Sequence, residues 1–192
     1  MADEINVGHI NLNHSRLANY DFLEFVQKKS NNSSGLIFAL QEPYIYNKKA
    51  SFIPAKGMIF DRSVAQPRAA LYVSANINCV PVPRFISSDI VSCLWTTRDN
   101  NIRNIMIVSV YLDGNSMITV PQKLKEIVKY CEKKRLHVLF LGDFNAHSTL
   151  WGEHFDNRRG EDVEDFILEN NLHGVHFKIH SDCSRHYNQN EF

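Results

Sequence analysis

Four apolar runs of this chain each end in a carboxylate or a carboxamide. Ile5 to Ile10 leads into Asn11-Leu12-Asn13, Leu36 to Leu40 into Gln41-Glu42, Ile105 to Val110 into Tyr111-Leu112-Asp113, and Val138 to Leu141 into Gly142-Asp143-Phe144-Asn145. Short apolar runs bounded by turn signals read as strands buried in a sheet. The last run is the most telling. Period-two geometry points Asp143 and Asn145 the same way if the strand is still extended there. Gly142 lets the backbone turn or approach a ligand closely. A carboxylate binds a hard cation or takes a proton, while an amide holds a phosphate oxygen or orients the acid. That is half of what phosphodiester cleavage needs.

Helical patterns fall between the strands. Ser15 caps a helix expected to run to about Lys29, with Ala18, Phe22, Phe25 and Val26 as its apolar stripe. Residues 43–67, with Pro43, Pro54 and Pro67, read as a long loop region. Strands are expected at Arg68–Ser74, more weakly at Ile77–Val82, and then at Ile90–Thr97 and Ile102–Tyr111. Thr119-Val120-Pro121-Gln122 has the form of a capping box before a helix whose inward face is Leu124, Ile127, Val128 and Cys131. A last helix is expected from about Glu161 to Asn170, ending near Gly174. Strands mixed with helices, some neighbours antiparallel, predict an α/β sandwich built on mixed sheets.

The motifs together resemble the endonuclease/exonuclease/phosphatase superfamily, and specifically the endonuclease domain of non-LTR retrotransposons. The string Gly142 to Gly152, Gly-Asp-Phe-Asn-Ala-His-Ser-Thr-Leu-Trp-Gly, followed by Arg159-Gly160, is close to that retroelement branch. The resemblance implies a DNase I-like fold, two packed mixed β-sheets flanked by helices. It also implies Mg2+-dependent DNA nicking, with Mn2+ as a substitute. On it, Glu42 is the metal-binding carboxylate and Asp143 orients or deprotonates the attacking water. Asn145 and Tyr111 contact the scissile phosphate. Asn11 positions metal or phosphate, and Asn13 supports the catalytic Asp. His147 is a mark of the retroelement variant, and Arg158 and Arg159, expected in a polar loop, contact the DNA backbone. Asp113 reads as a turn former. A phosphatase from the same superfamily and a non-catalytic nucleic-acid- or protein-binding module are the rival readings.

The resemblance runs from about Ile5 to Phe177 and then stops. Residues 1–177 are therefore expected to form one domain that lacks the last strands of its fold, with 178–192 a divergent tail. The family closes its site with a further Asp and a Ser-Asp-His element. Ser181-Asp182-Cys183 is not that element, so impaired activity is expected. His176, His180, Cys183 and His186 in the tail have a spacing that could bind zinc.

Lys plus Arg and Asp plus Glu balance at 21 each. No global positive field draws the chain to DNA, so affinity has to come from local contacts. Cys79, Cys93, Cys131 and Cys183 show no Cys-x-x-Cys pairing and are expected as free thiols in a reducing compartment, nucleus or cytoplasm. No apolar stretch approaches the roughly 20 residues of a membrane span. Nothing in the pattern points to a particular oligomer.

Overall fold

A computed structural model describes residues 5–30, 35–47, 49–50, 57–96 and 104–173. In chain order the elements are β1 (Ile5–Asn11), α1 (Arg16–Ser30), β2 (Gly35–Gln41), β3 (Ile45–Tyr46), β4 (Lys49–Ala50), β5 (Met58–Phe60), β6 (Ala69–Val73), β7 (Cys79–Pro81), β8 (Ile90–Trp95), β9 (Ile105–Tyr111), α2 (Gln122–Lys134), β10 (His137–Asp143) and α3 (Arg158–Glu169). Single 3-10 turns cover Pro83–Phe85 and Thr149–Trp151.

The strands form two mixed sheets of four, in the orders β1-β2-β6-β5 and β10-β9-β8-β7, with β3 and β4 as a small separate ribbon. Within each large sheet one pair is parallel. β1 runs alongside β2 from Ile5↔Gly35 to Asn11↔Gln41, and β10 alongside β9 from His137↔Ile105 to Asp143↔Tyr111. The other neighbours are antiparallel.

Alternation along β2 shows how the layers are built. Leu36, Phe38 and Leu40 face α1, packing with Phe22 and Val26. Ile37 and Ala39 face the other way and meet Val91, Cys93 and Ile107 of the second sheet. A strand covered on both faces must be apolar on both, which is why its sequence is a continuous run. On the far side, Met106, Val108 and Val110 of β9 meet Leu124, Ile127 and Val128 of α2 and Phe166 of α3. The result is a helix–sheet–sheet–helix sandwich. Each fully buried Leu, Ile or Phe in it contributes about 1.5–3 kcal/mol.

Most expected elements are present, and Ser15 does cap α1, its Oγ accepting the Ala18 N–H at 3.2 Å. Several details differ. The stretch 43–67 is not all loop: β5 pairs antiparallel with β6, with Met58 and Phe60 buried. Three residues are too few to announce a period. Thr119 does not cap α2, whose N-terminal flank is Pro121 with no side-chain cap. Its hydroxyl donates instead to Asp162 on α3, at 2.6 Å. Helix α3 starts earlier than expected, because Asn157 Oδ1 accepts the Gly160 N–H at 2.7 Å and so sets the first turn at Arg158. It ends at Glu169, before Gly174.

The cysteine expectation is also corrected. Cys79 and Cys93 form a disulfide, their Cα atoms 6.0 Å apart. Antiparallel pairing of β7 with β8 sets Cys79 opposite Trp95 and Pro81 opposite Cys93, which brings the two thiols diagonally together. Cys131 is free and buried, and burial pushes its thiol up to about 11. The residues of the possible zinc tail, the Ser181-Asp182-Cys183 string and the domain limit at 177 lie outside the described residues. No helix among the described residues is long and apolar enough to cross a membrane.

Candidate active site at the shared rim of the two sheets

The two parallel pairs end at one rim, and their last residues close into a ring. Asn11 of β1 is in register with Gln41 of β2, and Glu42 follows Gln41. Tyr111 of β9 is in register with Asp143 of β10. Across the sheets, Asn11 Nδ2 donates to Asp143 Oδ2 at 3.2 Å. Tyr111 and the Glu42 carboxylate face the remaining gap, close enough for the carboxylate to raise the phenol.

Both Asp143 oxygens are used. Oδ2 receives the Asn11 amide, and Oδ1 accepts the Asn145 N–H at 3.0 Å in an Asx turn. Asn145 sits at φ 48° and donates Nδ2 to the Leu112 carbonyl at 2.8 Å. The amide is thereby held with its nitrogen turned into the protein. Asn11 is oriented in the same manner, its Oδ1 accepting the Asn13 N–H at 2.8 Å, which leaves Nδ2 for Asp143. The two asparagines thus differ from expectation: Asn11, not Asn13, touches the carboxylate. Asn13 has left the strand at φ 47° and contributes its backbone.

Glu42 is also in the left-handed region, at φ 48°, and its main chain is tied on both sides. Its N–H donates to the Arg68 carbonyl at 2.8 Å, and its carbonyl accepts the His14 N–H at 2.7 Å. The Tyr111 phenol is pushed up to about 12, first by burial and then by the adjacent Glu42 carboxylate. At neutral pH it is a donor.

Three contributors were not singled out from sequence. Gln41 is fully buried under the ring. Its Nε2 donates to Ser109 Oγ at 3.2 Å, joining the two sheets, while its Oε1 is buried without a protein partner. A Gln closing an apolar run was the available signal. Arg68 spans Asp89 and Asp113 and lies over the Tyr111 ring, 5.1 Å from guanidinium carbon to centroid. His14 stands beside Glu42, its Nε2 3.9 Å from Oε1. Asp113 does form the expected turn, Oδ1 accepting the Asn115 N–H at 2.9 Å.

The remaining candidates lie apart. His147 stacks on Phe155, ring centroids 4.8 Å apart, and its Nδ1 is 3.6 Å from Glu153, beyond hydrogen-bonding reach. Among the described residues no hydrogen bond links His147 to the ring. Arg158 and Arg159 are in α3, not in a loop. Arg158 is exposed, but Arg159 is buried and donates Nη2 to the Gly114 and Ser116 carbonyls at 3.3 and 2.6 Å. It fastens the loop after β9 and is not free to meet DNA.

A divalent ion fits the donor set in a limited way. Among the described residues no group of three His, Cys, Asp or Glu side chains could hold a metal. Magnesium, however, commonly takes one or two carboxylates and keeps several waters. Glu42, partly exposed at the rim, satisfies that requirement.

Residues 105–190, from β9 through β10 and α3, match the family model described as endonuclease-reverse transcriptase. The structure is similar to the endonuclease domain of TRAS1, a telomere-specific non-LTR retrotransposon, with a TM-score of 0.65 and 25% identity over 87% of this chain and 71% of that one. An AP endonuclease from Archaeoglobus fulgidus aligns at 0.48 and 16% identity over 85% and 69% of the two chains. Humanized D. rerio TDP2 aligns at 0.45 and 11% identity over 74% and 63%. No curated protein sequence matches. The chain therefore resembles the endonuclease/exonuclease/phosphatase superfamily, has the DNase I-like sandwich, and is linked to the retrotransposon endonuclease branch.

Proposed function

We propose, from that likeness and from the ring at the rim, that this chain is a metal-dependent, DNA-nicking endonuclease domain of retrotransposon type. The observation that carries the reading is the convergence of Asn11, Glu42, Tyr111, Asp143 and Asn145 from the ends of β1, β2, β9 and β10. The family resemblance implies a role for each of them.

In this reading Asp143 orients the attacking water and takes its proton. The N–H groups of Asn11 and Asn145 hold the carboxylate as an acceptor with a set direction. The Tyr111 phenol, protonated at neutral pH, donates to Glu42 or to a phosphate oxygen. Asn145 borders the phosphate position. Glu42 holds Mg2+, or Mn2+ in its place, and a bound ion supplies positive charge against the charge developing on the phosphorane. Arg158 on the exposed start of α3 is a DNA-backbone contact in the same scheme, whereas Arg159 is not.

DNA is the substrate, and an intracellular site of action, nucleus or cytoplasm, goes with it. The endonuclease-like unit is taken to span 1–177, and the family match carries on into the tail through residue 190. Weak turnover, as expected from the sequence, is part of the proposal. The test is relaxation of supercoiled plasmid by the purified chain in Mg2+, beside EDTA and Asp143→Ala controls. Nicking that needs both the ion and Asp143 is the expected result. Folded protein that binds plasmid without cutting it would replace the reading with a binding module, and cleavage of small phosphate esters alone would make it a phosphatase.

A further inference from the structure

The motif places the ion on Glu42 alone, yet the fold sets an imidazole against that carboxylate. Asn13 and His14 are consecutive left-handed residues, at φ 47° and 49°, and they turn the chain back after β1. The turn is fixed by the His14 N–H, which donates to the Glu42 carbonyl at 2.7 Å. The ring then has two neighbours. Nδ1 lies 3.4 Å from the Pro43 carbonyl, an oxygen that only accepts, so that contact calls for the proton on Nδ1. Nε2 is left with its lone pair, 3.9 Å from Glu42 Oε1.

That separation is too long for a hydrogen bond. Two donors on one ion, each about 2.0–2.2 Å from it, stand roughly 3 Å apart at a right angle and farther at wider angles. At 3.9 Å the pair stands about 1 Å wider than adjacent octahedral positions, so a shared ion would draw the two side chains together. A metal-bound histidine also habitually gives its other ring N–H to a carbonyl or carboxylate. The side chains of His14 and Glu42 remain open to solvent, 38% and 17% exposed, so an ion and its waters have access.

We propose that His14 Nε2 joins Glu42 as a protein ligand of the divalent ion, giving this site a nitrogen donor. The inference rests on the proposed metal dependence. Its consequence is metal preference: an imidazole nitrogen suits first-row transition ions such as Mn2+ better than Mg2+, which favours oxygen.

Mn2+ alone is the probe. Pulsed electron paramagnetic resonance on the folded chain with Mn2+ should show the 14N modulation of a coordinated imidazole. His14→Asn should abolish it, since Asn tolerates the left-handed turn while removing the ring. The same variant should weaken Mn2+ binding about tenfold or more, and Mg2+ binding much less. Glu42→Gln should weaken both ions. Circular dichroism and urea midpoints establish that each variant is folded. Bound Mn2+ that Glu42→Gln weakens but that carries no nitrogen modulation would overturn the role of His14 and leave the Glu42 site standing. No Mn2+ or Mg2+ binding sensitive to Glu42 would overturn this inference together with the metal dependence beneath it.

Discussion

Arg68 grips both carboxylate oxygens of Asp89, Nε to Oδ1 at 2.6 Å and Nη2 to Oδ2 at 2.7 Å. Its remaining nitrogen, Nη1, donates to Asp113 at 2.8 Å. Arg68 immediately precedes β6 in one sheet, while Asp89 precedes β8 and Asp113 follows β9 in the other. The guanidinium therefore latches the two sheets at the rim that carries the ring. The planar fork matters, because a lysine ammonium has no bidentate geometry.

Arg68→Ala should lower stability by about 1–2 kcal/mol, a figure reduced because the charges are about a third exposed and partly screened. Arg68→Lys should recover less than half of it. Urea denaturation measures both. The acid limb follows too. The Asp113 carboxyl is held below its ordinary value, first by the Asn115 N–H and then by Arg68. A lowered folded pKa gives stability present above the unfolded value, near 4, and lost as pH falls through the folded one. Arg68→Ala should flatten that limb. An unchanged acid limb would show that the Asn115 N–H acts alone.

Tyr111 gives a signature at the other end of the pH scale. Its folded pKa, about 12, lies above the ordinary 10. A raised folded value means stability present below 10 and lost as pH rises toward 12. Ultraviolet titration in EDTA should show late-ionising phenols, Tyr72 held up by burial among them, and Tyr111→Phe should remove the component near 12. A phenol ionising near 10 would mean that neither its burial nor its contact with Glu42 holds in solution.

Gly142 precedes Asp143 at φ 145°, where a Cβ would stand 1.9 Å from the Val110 carbonyl oxygen. That oxygen belongs to the neighbouring strand backbone and has nowhere to move without breaking the β9–β10 ladder. Gly142→Ala should cost about 3 kcal/mol or more, combining left-handed strain with overpacking. Nicking should fall with it, because Asp143 would shift relative to Asn11. A variant as stable as the parent in urea would overturn this account.

The Cys79–Cys93 bridge closes a short loop, its ends 14 positions apart. Loops of this size are stabilised by about 3 kcal/mol through the unfolded chain. Dithiothreitol, or Cys79→Ser, should lower the urea midpoint correspondingly. The pairing takes Cys79 and Cys93 out of the free thiols expected from the sequence, while Cys131 stays free and buried.

What could be read from the sequence was local. β2 and β10 were visible as apolar runs, and Glu42, Asp143 and Asn145 as polar residues closing them. What could not be read depended on partners far along the chain. Gln41 meets Ser109 across 68 positions, and Arg68 meets Asp113 across 45. No periodicity encodes such pairs. Arg159 misled for the same reason. An arginine near a polar loop resembles a phosphate contact until the fold shows it buried, one nitrogen donating to two backbone carbonyls. His14 carried no sequence signal of its own, and only the chain reversal reveals what its ring faces.

The bond between Asn11 and Asp143 also has a clock attached. With 132 positions between them, a ribosome adding about 5–20 residues per second needs roughly 7–26 s to deliver the second after the first. Throughout that interval the emerging polypeptide carries an amide with no carboxylate to hold. Any translation product cut short before β10 would carry Asn11, Glu42 and Tyr111 without the acid they surround. Such fragments should be silent toward DNA, so premature termination yields inert pieces and not unregulated scissors.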